Sequence, residues 1–197
     1  MGALKKEDTK YTYEDYVKVP EENGVRLELV DGELHAMASP SIRHQLILTT
    51  LMVRFGTFLD GKRTCKVVSD IDTRLSYAKG DDTAVRPDLV VICDSSKIDT
   101  NSIKGAPDLV VEILSPSTAR HDVRVKLIKY CEAGVREIWI VDPIRDIVYT
   151  YTLNNVSEYD WKIYGAGDEI PVSILKGLAI SGSDIFKDEF TEEEEER

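Results

Sequence analysis

Cysteine is scarce, with Cys65, Cys93 and Cys131 alone among 197 residues. Their odd number and wide spacing fit neither a thiolate zinc motif nor a dense disulfide framework. They read as small core hydrophobes of a protein in a reducing compartment. Histidine is as rare, and His35, His44 and His121 have no zinc-ligand spacing. No stretch approaches the roughly 18 consecutive apolar residues of a membrane span. The opening MGALKKEDTKY has neither the apolar core nor the cleavage site of a secretory signal. The expectation is a soluble cytoplasmic protein. Glycine-rich phosphate loops are missing, since Gly165 and Gly167 stand alone in a polar turn. Ser115-Pro116-Ser117 lacks the flanking glycines of a nucleophile elbow. Positive charge is short too: 25 Lys and Arg against 36 Asp and Glu give a net charge of −11. Residues 188–197 hold seven acids against Arg197, so this tail carries −6 and the remainder −5. A protein that binds phosphate backbones by bulk charge is usually basic. Any nucleic-acid role here rests on a local patch or a metal ion.

What the chain does contain is enough for a core, with 42% hydrophobic and 31% charged residues. Residues 1–187 read as a single domain, and 188–197 as a solvated acidic tail. Thr12 precedes a helix start near Tyr13. VRLELV and ELHAMA flank Asp31-Gly32, so 25–38 read as a hairpin with a type I′ turn. Leu48, Leu51, Met52, Phe55 and Leu59 share one face of a helix over 40–59, which Gly61 stops. Beyond it the period changes to two. Segments 66–69, 71–77, 84–93 and 108–114 read as strands, the last two Val- and Ile-rich as if buried on both faces. The stretch 94–107 reads as a loop. A helix over 119–133, capped by hydroxyls of 115–118 and closed by Gly134, precedes strands at 135–141, 147–153 and 159–164. The layout is α/β of the α+β type: a mixed central sheet flanked by helices, with an N-terminal hairpin.

Two of these strands carry a carboxylate among aliphatic neighbours, Asp88 in RPDLVVI and Glu112 in PDLVVEIL. Such acids are costly to bury unless they are paired or bound to a cation. On neighbouring strands they could hold a divalent ion together, and hard oxygen donors select Mg²⁺ or Mn²⁺ over zinc. The alternative is two solvated acids, or pairing with Arg86. Lys126 flanks the apolar face formed by Val123, Leu127, Tyr130 and Cys131, whereas Lys129 points away from it. The Lys126 stem can carry its ammonium along the sheet to the acids; otherwise it pairs with Asp122 one turn back. Arg120, Arg124, Lys126 and Lys129 also form either a strip for a phosphate backbone or a solvated helix face. Trp139 and Trp161 read as core or edge aromatics.

In order, RLELVDGEL, SIRHQLIL, RPDLVVI, GAPDLVVEILSPST, DVRVKLIKY and AGVREIWIVDP resemble the Uma-type restriction-endonuclease family of the PD-(D/E)XK nuclease superfamily. The resemblance spans about residues 25–153. It implies a restriction-endonuclease-like fold and a metal-dependent phosphodiesterase site, with the motif aspartate at Asp88 and the glutamate at Glu112. The superfamily's usual lysine position is Leu114 here, and the resemblance moves that role to Lys126. It also implies Glu28 as a further metal ligand and His44 as a group positioning phosphate or water. A solvent-facing Glu28 and a structural His44 are the plainer readings. Asp108 could be mistaken for the family aspartate but reads as a cap at its strand start.

The function expected on these grounds is a Mg²⁺- or Mn²⁺-dependent endonuclease acting on DNA. The resemblance further implies a homodimer, since two-fold symmetry suits cutting both strands. The competing expectation is a catalytically silent scaffold of the same fold that binds nucleic acid or a partner protein. The net acidity and the displaced lysine favour that second reading, whereas the retained Asp88, Glu112 and Lys126 favour the enzyme.

Overall fold

The computed structural model describes residues 10–21, 24–77, 79–115, 121–155 and 158–187. The acidic tail, Arg120 and the hydroxyls of Ser117 and Thr118 lie outside these, as does the Asp122 side chain. Helix α1 (Tyr13–Tyr16) begins at Thr12, which forms a capping box with Asp15. Asp31 and Gly32 adopt φ of 50° and 78°, the two left-handed residues that a type I′ turn requires. They join β1 (Leu27–Val30) to β2 (Glu33–Ala36) in the hairpin expected from the sequence. Helix α2 (Ile42–Leu59) starts two residues later than expected, because the Ser41 hydroxyl accepts the His44 N–H and acts as the cap.

The remaining elements run β3 (Lys66–Ser69), β4 (Asp72–Arg74), β5 (Ala84–Val85), β6 (Leu89–Ile92), β7 (Ser102–Lys104) and β8 (Leu109–Ile113). They continue through α3 (His121–Ala133), β9 (Glu137–Asp142), β10 (Ile147–Leu153), β11 (Tyr159–Gly165), β12 (Glu169–Pro171), β13 (Ala179–Ser181) and the short α4 (Gly182–Ile185). Instead of one central sheet there are three among the described residues. The largest has six strands in the order β11-β10-β9-β8-β6-β3. Only β8 and β9 are parallel in it, joined through α3 as parallel neighbours demand. A second sheet runs β2-β1-β5-β4-β7, and β12 pairs with β13.

The central strands β6, β8 and β9 are buried on both faces. Leu89, Val91, Leu109, Val111, Trp139 and Val141 pack with Ile47, Leu51, Phe55 and Leu59 of α2. The alternate residues Val90, Ile92, Val110, Ile138 and Ile140 pack with Tyr130 of α3 and with Val30, Val85 and Ile103 of the second sheet. This two-residue alternation is the strand period made physical.

Several expectations are corrected. The run 84–93 is two strands in two different sheets. Segment 71–77 shortens to β4, because Leu75–Tyr77 turn. The loop 94–107 contains β7, which pairs in parallel with β4. Reading all three cysteines as free thiols is also corrected: Cys65 and Cys93 form a disulfide, and Cys131 is free. The cause lies in the register. β3 pairs with β6 at Lys66↔Ile92, and one further step sets Cys65 opposite Cys93. Spacing along the chain does not show such a juxtaposition. With a sequence separation of 28, closing this loop is expected to add roughly 3.5 kcal/mol of stability. Urea midpoints measured with and without reductant check this; identical midpoints contradict it.

Candidate active site

The site forms where the chain changes sheets. After Val85, the segment Arg86-Pro87-Asp88 crosses from the second sheet to β6. Pro87 has no N–H to offer a ladder, and the Arg86 N–H leaves the sheet pattern to donate to Glu28 Oε1 at 2.7 Å. Glu28 lies on β1 and is only 7% exposed. In the main sheet β6 pairs with β8 at Leu89↔Val111, so one more step along the ladder sets Asp88 opposite Glu112. The Asp88 carboxylate accepts the Ile113 N–H on Oδ2 at 2.7 Å. Its Oδ1 lies 3.2 Å from His44 Nε2 at the start of α2.

Glu112 turns toward α3. Its Oε1 accepts the Tyr130 hydroxyl and lies 2.7 Å from Lys126 Nζ. The same ammonium donates to Glu28 Oε1 at 2.9 Å. Lys126 and Tyr130 are four residues apart, so one face of α3 delivers both to a single carboxylate oxygen. Glu112 Oε2 carries neither of these contacts.

Burial and charge shape the electrostatics. Burial pushes the Glu112 carboxyl up to about 7; the Lys126 charge opposes this, and the Asp88 and Glu28 charges add to it. For Lys126, burial works against the ammonium, but Glu112 and Glu28 outweigh it and hold its pKa above the ordinary lysine value. Lys126 is therefore a permanent cation at neutral pH. Burial, reinforced by Glu112 and Glu28, raises the Tyr130 hydroxyl well above its usual range, so it remains a donor.

The residues singled out in the sequence thus fall into two touching groups. Glu28, Lys126 and Glu112 form a direct cluster, and Asp88 with His44 forms a pair anchored on Ile113, the residue after Glu112. Glu28 is not solvent-facing. Arg86 does not pair with Asp88; its Nε donates to Asp72 at 2.6 Å and its Nη1 reaches Glu21 at 3.3 Å. Asp108 bridges the Cys93 N–H and the Arg136 guanidinium, the strand-start role expected of it. Lys129 pairs with Asp31 and Glu132, away from the acids. Lys126 is buried and drops out of any basic surface strip. Trp139 is fully buried, whereas Trp161 is exposed on β11. Sequence reasoning missed Tyr130 as a polar participant, taking it only as part of an apolar face. Its place one turn after Lys126 was the available signal.

Among the described residues, no three Asp, Glu, His or Cys side chains approach closely enough to hold an ion by themselves. Magnesium does not need such a cage. It commonly takes one or two carboxylates and fills its remaining positions with water and substrate phosphate oxygens. The oxygen donors of Asp88 and Glu112, set opposite each other with negative charge in excess around Glu112, suit that chemistry.

A mixed sheet between helices, with Asp88 just before β6, Glu112 on the adjacent β8 and Lys126 beside Glu112, has the restriction-endonuclease-like fold. A crystal structure described as "a putative nuclease belonging to DUF820" from Anabaena variabilis has the same fold. Its TM-score is 0.73 at 20% identity, over 89% of this chain and 97% of that one. The chain belongs to the Uma2 family, described as "Putative restriction endonuclease", whose match covers residues 13–182. The uncharacterized protein slr1290 of Synechocystis is 26% identical over 181 residues, which is 90% of this chain and 92% of its own.

Proposed function

We propose that the protein is a divalent-metal-dependent endonuclease that hydrolyses phosphodiester bonds in DNA, with Mg²⁺ or Mn²⁺ held by Asp88 and Glu112 and supported by Glu28. The observation that carries this reading is the Lys126 ammonium, buried between Glu28 and Glu112 although the lysine sits on a different element from the glutamate. A bound divalent ion would acidify water and offset charge developing on the phosphate. Lys126 supplies a fixed positive charge beside that phosphate, and it cannot act as a base because its proton is held by two carboxylates. Tyr130 and Lys126 fix Glu112 Oε1, so Oε2 is the oxygen that would meet a bound cation. The Ile113 N–H donates to Asp88 Oδ2 and His44 Nε2 stands beside Oδ1, so both oxygens have neighbours that limit the carboxylate before any ligand arrives.

Supercoiled plasmid incubated with the protein should be nicked or linearised in Mg²⁺ and left intact in excess EDTA. Metal-independent cleavage, or none with either ion, contradicts the proposal; plasmid binding without cleavage supports the scaffold reading instead. A second expectation concerns pH. Cation binding competes with the proton on Glu112, so Mn²⁺ affinity should rise as pH increases through about 7. Calorimetric titrations at pH 6 and pH 8 should differ roughly tenfold in Kd. An unchanged Kd removes Glu112 from the binding site.

A further inference from the structure

Strand β11 forms one edge of the main sheet and matches β10 as its longest strand at seven residues. Its inner side pairs with β10 along its whole length, and no described strand covers its outer side. A long open edge invites pairing with another chain and is usually blunted by charge, proline or a bulge. This edge has no proline, and the charges it carries are of both signs. Trp161 and Ile163, 63% and 50% exposed, stand on the face that also carries α3. Across the ladder they lie opposite Tyr151 and Tyr149. The other face of the strand presents Asp160 and Lys162, both exposed.

A lone lysine on an edge would repel a second strand, but Lys162 lies two residues from an opposite charge. An antiparallel copy of β11 centred on Trp161 sets Asp160 of each chain against Lys162 of the other, and Tyr159 against Ile163. Trp161 then meets its own counterpart. The sequence of the edge is therefore self-complementary in both charge and apolar character, as an isologous two-fold contact requires. The alternation does not offer this match to a parallel copy in register, where like charges face each other.

We propose that β11 is a homodimer interface: two copies pair antiparallel through β11, and their main sheets join into one continuous sheet. This inference is independent of the nuclease reading.

Sedimentation equilibrium over a wide concentration range tests it, with folding followed by circular dichroism. The parent should dimerise. The exposed-site variants K162D and D160K each place like charges opposite one another twice, and each should weaken self-association roughly tenfold or more. An equimolar mixture of the two variants should recover dimers, because opposite charges then face across the strands. The double swap D160K/K162D should also recover them. A parent that stays monomeric, single variants that dimerise as well as the parent, or a mixture that fails to associate each overturns the proposal. A heterologous strand from another protein as the true occupant would show as the first of these outcomes.

Discussion

Replacing Lys126 by methionine is expected to cost roughly 3–5 kcal/mol of stability, the usual consequence of removing one partner from a buried charge group. Lys126 Nζ contacts Glu28 and Glu112 at 2.9 and 2.7 Å, and no other described cation reaches either carboxylate. Without it, two buried acids face each other with, among the described residues, Tyr130 and the Arg86 N–H as donors. The Glu112 carboxyl, already pushed up to about 7, would rise further and hold its proton at neutral pH. Urea denaturation at pH 7 reads the loss. A compensating Glu28→Gln, Lys126→Met, Glu112→Leu triple variant should recover much of it, because uncharged replacement of a whole buried charge group is often neutral. If Lys126→Met alone lies within about 0.5 kcal/mol of the parent, the ammonium does not hold the two glutamates.

The second large effect is a pH dependence of stability. The folded pKa of Glu112, about 7, lies above its ordinary 4.5, so the native state binds that proton more tightly than the unfolded chain does. This contribution is fully present below the unfolded value and is lost as pH rises through about 7. The swing amounts to as much as ~3 kcal/mol. Lys126, held above the ordinary lysine value, stays charged throughout this window and does not cancel it. Unfolding free energies of the parent measured from pH 4.5 to pH 8 should therefore fall, and those of Glu112→Gln should be flatter. Parallel curves for the two proteins would mean that Glu112 does not titrate in this range.

Much of the fold was legible because it is written in local chemistry. Asp31-Gly32 specify a turn with two left-handed residues, the α2 face repeats at helical spacing, and the aliphatic runs of β6 and β8 announce doubly buried strands. Asp88, Glu112 and Lys126 stand out because each is a charge in an apolar setting. What stayed hidden depends on register between distant segments. Pro87 marks a change of sheet, but only the pairing of β5 with β1 shows where the chain goes. The burial of Glu28 follows from that crossing, since the Arg86 N–H has to find an acceptor. The Cys65–Cys93 bond follows from the β3–β6 register in the same way. The strands β12 and β13, at three residues each, are too short to carry a period. Tyr130 was invisible as a polar group because a tyrosine on an apolar helical face packs with its ring, while its hydroxyl does the binding.

Cleavage of supercoiled plasmid in Mg²⁺ by the parent and by Asp88→Ala, both confirmed folded, tests the assignment of the site most directly. The account predicts a rate for the variant at least ~10²-fold lower, with the parent inactive in EDTA. Equal rates for the two proteins in Mg²⁺ would contradict it.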